Sequence, residues 1–194
     1  MEIFTLVTGI IYMILEIRHH NFMWVVGVVT SAAAMWVFFQ QGLYASFGLN
    51  TYYLITSFIG LWHWSRDRRR LGVDEKSESS EVIVLNRLSV KTALLSLAFA
   101  VVGIFALAWV MQLVENPMSY LDSTVTVLSI VATWWLVKSY IQQWWLWIIA
   151  DTLSTVLCLT QGMWWMALLY ILYAVAAAIG LKHWKKHGEY VHCS

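Results

Sequence analysis

The sequence predicts an all-α polytopic membrane protein with seven transmembrane helices, and three observations lead to that prediction. Hydrophobic residues make up 60% of the 194 positions and charged residues only 12%, whereas soluble domains average about 45–50% and about 25%. Seven apolar runs approach the roughly 20 residues that a helix needs to cross a bilayer. Every Lys and Arg lies outside these runs.

The connections between the apolar runs are short, with one exception. The first run follows the acidic Glu2 rather than a basic segment, so we expect it to remain as a helix and not to be removed as a signal peptide. The long connection, Ser65–Lys91, is polar and charged and predicts a solvated loop. The predicted spans are Ile3–Ile17, Phe22–Phe39, Ala45–Trp64, Thr92–Val114, Tyr120–Val137, Ile141–Leu159 and Met163–Leu181.

The distribution of charge predicts the orientation. Seven spans place the first, third and fifth connections and the C-terminus on one side, and the opposite side then holds only the acids Glu2, Glu115 and Asp122. Because Lys and Arg accumulate in cytoplasmic loops, we expect the N-terminus outside and the C-terminus in the cytoplasm. The basic residues on the predicted cytoplasmic side are Arg18, Arg66, Arg68, Arg69, Arg70, Lys76, Arg87, Lys91, Lys138, Lys182, Lys185 and Lys186.

An internal repeat predicts how the helices are organised. Shifting the chain by 120 residues aligns Trp24 with Trp144, and Gly60-Leu61-Trp62-His63-Trp64 with Gly180-Leu181-Lys182-His183-Trp184. One helix separates the two halves, so both enter the membrane in the same orientation, as in transporters with parallel repeats. The sequence thus predicts two parallel three-helix repeats joined by a linker helix (3+1+3). The predicted segments are a bundle at 1–64, a cytoplasmic loop at 65–91, the linker helix at 92–114, a bundle at 118–184 and a cytoplasmic tail at 185–194.

The sixth span contains the strongest candidate for a binding face. With 3.6 residues per turn, Trp144, Trp147, Asp151 and Ser154 fall on one side of a helix. A carboxylate in a membrane span normally faces a partner or a cavity, and aromatic rings beside it suit a flat, cationic, aromatic ligand. The alternative is that the tryptophans form an interfacial belt while Asp151 makes a helix–helix hydrogen bond.

The third helix of each half offers a second candidate face. Asn50 and Tyr53 in the first half correspond to Tyr170 and Tyr173 in the second. These side chains donate and accept hydrogen bonds at membrane depth, as recognition of a ribose or an aminopyrimidine requires. The alternative is that Asn50 joins helices and the tyrosines lie at a membrane interface.

Several classes of protein are disfavoured by what the spans contain. One membrane carboxylate does not supply the paired acids, activated nucleophile or metal ligands of a membrane enzyme, so the sequence predicts no enzyme, no cofactor and no metal site. A phosphorylated substrate needs cationic or helix-terminal partners, and no Lys or Arg lies in a predicted span. A membrane scaffold or sensor remains as an alternative, although it does not explain why the lining residues differ between the halves.

Short motifs in both halves of the chain carry a family resemblance. They are Trp24-x-x-Gly27, Leu43-Tyr44-Ala45 and Gly60-x-x-x-Trp64 in the first half, and Trp144-x-x-Trp147-x-x-x-Asp151, Gln161-Gly162, Leu168-Leu169-Tyr170 and Gly180-x-x-x-Trp184 in the second. With these motifs the chain resembles the PnuC-type vitamin transporter family over nearly its whole length. This resemblance implies a SWEET-like fold and facilitated diffusion of a vitamin precursor, with nicotinamide riboside as the first candidate and thiamine as the alternative. It further implies a cytoplasmic kinase that traps the substrate, and a homo-oligomer, by resemblance a trimer, in the cytoplasmic (inner) membrane of a bacterium.

Overall fold

A computed structural model describes residues 11–40, 44–70, 83–112 and 119–190. Seven helices and two short strands occupy these residues. Glu2, Glu115 and the serines of the Ser65–Lys91 connection at 77–80 lie outside the described residues. The elements are α1 (described over 11–17), α2 (Phe22–Gln40), α3 (Tyr44–Arg70), β1 (Ile83–Leu85), α4 (Val90–Gln112), α5 (Ser119–Val137), α6 (Gln143–Thr160), α7 (Trp164–His187) and β2 (Gly188–Tyr190).

Three helical stretches among the described residues are long and apolar enough to cross a membrane: Val90–Gln112, Tyr120–Val137 and Met166–His187. Phe22–Ala33 is a shorter apolar helix of the same character. Large apolar side chains on α4 are exposed, with Leu95 72% accessible, which suits a helix that faces lipid rather than water. The prediction of a helical membrane protein is confirmed at this level.

Two helices extend beyond the apolar runs that predicted them. The third predicted span ends at Trp64, but α3 continues to Arg70, and the seventh ends at Leu181, but α7 continues to His187. A helix can leave the bilayer without ending, because its backbone hydrogen bonds are internal. The basic last turn of α7 (Lys185, Lys186 and His187) also complements the negative C-terminal end of the helix dipole.

The connection predicted as a solvated loop is ordered at both of its described ends. Its first residues continue α3 to Arg70, and Ile83–Leu85 forms the fully buried strand β1. This strand pairs in parallel with Gly188–Tyr190, matching Val84 with Glu189. Parallel pairing joins segments that are distant in sequence. The polar composition of the Ser65–Lys91 connection therefore could not reveal that part of it forms a strand.

The described residues divide into two compact units. One contains those of Met1–Asn86 together with Val137–Ser139 and His183–Ser194, and the other those of Arg87–Leu136 and Tyr140–Lys182. In the second unit Ala100 of α4 packs with Val127 and Val131 of α5, and Trp135 donates from Nε1 to the Ser96 hydroxyl at 3.1 Å. The first unit contains α1, α2, α3 and β1, together with the turn that begins at Val137 and the last residues of α7 with β2.

Each unit contains a tryptophan seated on a glycine. In the first unit the Trp24 ring lies on Gly60, and in the second the Trp144 ring lies on Gly180; a Cβ atom at either glycine would overlap the ring. These two pairs are related by the 120-residue offset. A helix surface without a side chain lets a large ring approach the backbone, so both glycines are needed for close packing.

The first unit also contains a cluster that we call the clasp, formed by His19, Trp64, Ser139 and Trp184 together with the β1–β2 sheet. The His19 ring is stacked on Trp64, with centroids 3.7 Å apart, and is edge-on to Trp184 at 5.1 Å. His19 Nε2 lies 3.3 Å from Ser139 Oγ. Because His19 and Ser139 both have positive φ, at 52° and 54°, each occupies the left-handed region in the turn before a helix.

Candidate functional site

Burial along α6 separates an inward face from an outward one. Trp144, Asp151 and Ser154 are buried, whereas Trp145 is 52% exposed and Ile149 is also exposed. This alternation follows the 3.6-residue period. The face that contains the candidate carboxylate is therefore the one that packs into the protein, and the adjacent Trp145 lies on the opposite, apolar surface.

Asp151 is buried, and none of the described side chains forms an ion pair with it. It is 7% exposed, and among the described residues its carboxylate makes no hydrogen bond and no ion pair. Ser154 of the same face donates to the Ala150 carbonyl at 2.8 Å and not to Asp151. A buried carboxylate without a partner is costly, and a cationic ligand would remove that cost.

The two tryptophans of this face have different surroundings. Trp144 is 1% exposed, because its ring is enclosed against Gly180. Trp147 is half-buried, and its Nε1 atom is buried without a hydrogen-bond partner among the described residues. Because Trp147 keeps part of its ring accessible while Trp144 is enclosed, Trp147 is the ring that is better placed to meet a ligand, and Trp144 supports it.

The tyrosines of α7 lie near the same carboxylate. Asp151 is within electrostatic reach of both Tyr170 and Tyr173, whose ring centroids are 6.3 Å apart in an edge-on arrangement. Both rings are half-buried. Five of the predicted site residues lie in the second unit: Trp144, Trp147, Asp151, Tyr170 and Tyr173.

The other two predicted site residues, Asn50 and Tyr53, lie on α3 in the first unit, where both are half-buried. Tyr12 of α1, which the sequence did not indicate as a site residue, is within electrostatic reach of Tyr53. The Tyr12 ring lies 3.7 Å from the point that a Cβ of Gly27 would occupy. The 120-residue offset aligns Gly27 with Trp147. A glycine in place of a large side chain leaves room beside α2, and that was the sequence signal that another ring, here Tyr12, packs there.

The two repeat-related histidines contact ionisable or aromatic neighbours at the ends of α3 and α7. His63 Nδ1 lies 3.2 Å from Asp67 Oδ2, and the His183 and His187 ring centroids are 4.4 Å apart. No group of three or more His, Cys, Asp or Glu side chains that could hold a metal ion occurs in the described part of the chain.

The carboxyl of Asp67 has the opposite environment to that of Asp151. Burial by itself would raise the pKa of Asp67, but the side chains of His63 and Asn86 outweigh this effect and leave the pKa below its ordinary value. Asn86 Nδ2 donates to Asp67 Oδ2 at 3.0 Å. A carboxylate whose charged form is bonded in this way belongs to the framework of the protein.

Membrane-spanning helices around a buried face of aromatic rings and one carboxylate define a transporter of a small organic solute. The comparisons with known proteins agree. The profile of the nicotinamide mononucleotide transporter family matches residues 1–186, so the chain belongs to this family. It is a multi-pass membrane transporter and not an enzyme.

The chain is also similar to individual proteins of known name and to a solved structure. The chain is 27% identical over 165 residues to "Nicotinamide riboside transporter PnuC" of Escherichia coli (strain K12), covering 76% of this chain and 69% of the relative. It is 27% identical over 190 residues to the protein of that name from Neisseria mucosa, covering 93% and 70%. A crystal structure of the vitamin B3 transporter PnuC superposes with a TM-score of 0.67 at 24% identity, over 94% of this chain and 79% of that one. This superposition shows a shared fold.

Proposed function

We propose that the protein carries nicotinamide riboside across the cytoplasmic membrane of a bacterium by facilitated diffusion. The observation that supports this most directly is Asp151, a buried carboxylate with no ion pair among the described residues. Nicotinamide riboside is a flat aromatic cation. Attraction to Asp151 and contact with the Trp147 ring, worth roughly 0.5–2 kcal/mol for a cation over tryptophan, would both favour it.

The same features argue for the riboside rather than the phosphorylated mononucleotide that the family description names. A phosphate carries negative charge and needs cationic groups or helix N-termini. No Lys or Arg lies in a predicted span, and Asp151 would repel a phosphate. The two relatives described above are also named as riboside transporters.

Thiamine is the second candidate substrate. The group at position 151 is a carboxylate, which accepts hydrogen bonds as well as attracting positive charge. Thiamine provides both a cationic thiazolium ring and an amino group that can donate. Asp151 and Trp147 therefore suit either vitamin, and the two are separated by direct measurement of binding.

We infer that the helices are arranged as two parallel repeats, α1–α3 and α5–α7, with α4 as the linker. The matched packing of Trp24 on Gly60 and of Trp144 on Gly180 supports this arrangement. In such transporters the substrate lies near the midplane and the two repeats rock about it. The residues that we propose for binding are Asn50 and Tyr53 of α3, and Trp144, Trp147, Asp151, Tyr170 and Tyr173 of α6 and α7.

Facilitated diffusion, as proposed here, uses no energy source on the protein itself, and net flux then follows the substrate gradient. We further propose, following the family resemblance, that a cytoplasmic kinase maintains this gradient by phosphorylating the substrate, and that the protein forms homo-oligomers, as trimers. Mass measurement of the purified protein in detergent will test the oligomer.

Calorimetric titration of the purified protein with nicotinamide riboside and with thiamine tests the proposed site. We expect Asp151→Asn to weaken binding by about tenfold or more, since a lost charge contact costs about 1.5–3 kcal/mol. Trp147→Ala should weaken it similarly, because it removes the ring and its Nε1 donor.

Two matched controls make this result specific. Trp145→Ala removes a tryptophan from the exposed side of the same helix turn, and Glu189→Gln removes an exposed carboxylate from β2, in the other compact unit. Both should bind like the unchanged protein. Equal affinity in Asp151→Asn, Trp147→Ala and the controls would refute the site, and a response to thiamine alone would transfer the assignment to thiamine.

A further inference from the structure

The clasp connects segments that belong to the two predicted repeats. Trp184 Nε1 donates to the Ile17 carbonyl at 3.0 Å and to the Glu16 carbonyl at 3.3 Å. The Asn86 side chain donates from Nδ2 to the Lys138 carbonyl at 3.0 Å, and the Asn86 backbone N–H donates to the Ser139 carbonyl at 3.2 Å. These bonds tie the ends of α1 and β1 to the turn before α6 and to the end of α7.

Repeat-related residues contact each other in the clasp. His19 and Ser139 are separated by 120 positions, and their side chains meet at 3.3 Å. Trp64 and Trp184 have the same separation, and their ring centroids are 6.3 Å apart. Two residues related by an approximate twofold axis touch each other only where they lie next to that axis. The clasp therefore marks the place where the two repeats meet at one of their ends.

The β1–β2 sheet strengthens this junction. Backbone pairing joins Ile83–Leu85 to Gly188–Tyr190, and all three residues of β1 are buried. Gly188 lies so close to the Leu85 side chain and the Trp184 carbonyl that a Cβ atom would overlap both. The strand after α7 can therefore dock only with glycine at its first position.

These contacts lie at the ends of the helices that carry the basic residues, which the charge distribution places in the cytoplasm. A rocking transporter releases its substrate by separating the ends of its repeats on the side of exit. We propose that the clasp is a cytoplasmic latch: it holds the inner ends of the two repeats together, and it opens each time substrate is released into the cell. This inference rests on the proposed transport function.

Cross-linking the latch provides the first test. Val84→Cys and Glu189→Cys, introduced together with Cys158→Ser and Cys193→Ser, place two thiols at paired positions of β1 and β2. Oxidation of the reconstituted double-cysteine protein should lower substrate uptake by about tenfold, and a reductant should restore it, because a locked state cannot exchange with the open one. Each single-cysteine variant, treated identically, is the control. Uptake that is unchanged despite complete cross-linking would overturn the proposal.

Weakening the latch provides the second test. Gly188→Leu prevents docking of β2, whereas Glu189→Gln changes an exposed side chain of the same strand and serves as the control. Ser154→Cys, made together with Cys158→Ser and Cys193→Ser, puts a thiol on the same face as Asp151 and reports access from the cytoplasmic side in inside-out vesicles. We expect Gly188→Leu to speed labelling of that thiol about fivefold or more, as the open population rises. Equal labelling rates in Gly188→Leu and Glu189→Gln would contradict the latch.

The two tests separate failure of the latch from failure of the proposed function. Thiol labelling requires no substrate, so it decides on the latch even if neither vitamin binds. The cross-link, in turn, needs only the folded protein and no destabilising substitution in the helices. If riboside binds and is transported while both tests fail, the transport function stands and the latch does not.

Discussion

Asp67 and Asp151 are both buried acids, but their neighbours differ. Asp67 contacts His63 at 3.2 Å and accepts from Asn86 at 3.0 Å. Asp151 has neither kind of contact among the described residues. A buried charge is retained in a protein when partners stabilise it or when function requires it. Partners stabilise the charge of Asp67, whereas we propose that function requires the charge of Asp151.

The lowered pKa of Asp67 predicts how stability depends on pH. A carboxyl whose folded pKa lies below its unfolded value stabilises the protein above about pH 4, and this stabilisation is lost as the pH falls through the folded pKa. We therefore expect Asp67→Asn to lower the melting temperature at pH 7, and this difference to shrink below about pH 4. Thermal unfolding in detergent between pH 7 and pH 3 measures the effect.

Glu189→Gln is the control for this experiment, since Glu189 is an exposed acid in the same unit. Its substitution should leave the melting temperature unchanged at pH 7. A difference between the unchanged protein and Asp67→Asn that grows toward low pH would contradict the assignment, because it would mean that the folded state favours the protonated carboxyl.

At the scale of the helices, close packing depends on the glycines that receive the tryptophan rings. Gly60 and Gly180 lie at equivalent positions of α3 and α7, and each contacts the tryptophan at the start of the preceding helix, α2 or α6. This packing sets the distance between α2 and α3, and between α6 and α7. It also determines the position of Trp144, which precedes Trp147 by one turn on the candidate binding face.

Substituting these glycines should therefore destabilise the protein. We expect Gly180→Ala to cost about 1–3 kcal/mol by overpacking against Trp144, and to weaken substrate binding because α6 must shift. Gly48→Ala is the matched control: it lies in α3 with no atom within 4 Å of an added Cβ, so it should stabilise the helix by roughly 0.5–1 kcal/mol. Unfolding of both variants in denaturant distinguishes them, and equal stabilities would refute the packing argument.

At the scale of the whole molecule, the placement of charge predicts the orientation in the membrane. The seven predicted spans would place all 12 Lys and Arg on one side, which predicts a cytoplasmic C-terminus. In a protein without its native cysteines, Ser79→Cys in the long basic connection should resist an impermeant thiol reagent in intact cells. Permeabilising the cells should make it reactive, as measured by labelling of the purified protein.

The turn between α6 and α7 supplies a control position that is predicted to lie on the outer side of the membrane. Gln161 is exposed, next to Gly162, whose φ of 73° ends the helix, and the charge rule places it outside. Gln161→Cys should react in intact cells. Rapid labelling of Ser79→Cys together with protection of Gln161→Cys would reverse the proposed orientation.

The sequence by itself determined the features that depend on local periodicity and composition. Apolar runs predicted a helical membrane protein, and the helical period predicted that Trp144, Asp151 and Ser154 share one face of α6. The 120-residue offset also aligned Trp24 with Trp144 and Gly60 with Gly180, although it did not predict that each ring packs on a glycine. These inferences succeed because the direction of a side chain from a helix depends only on its position along that helix.

The tertiary structure alone decided which residues from distant parts of the chain contact each other. It placed Trp144 against Gly180 and so left Trp147 as the more available ring, and it brought Tyr12 next to Gly27. It also paired β1 with β2 across about half of the chain, in a connection that its composition had predicted to be a loop. Pairing and packing between distant segments depend on the relative positions of whole helices, and no period within a single segment encodes those positions.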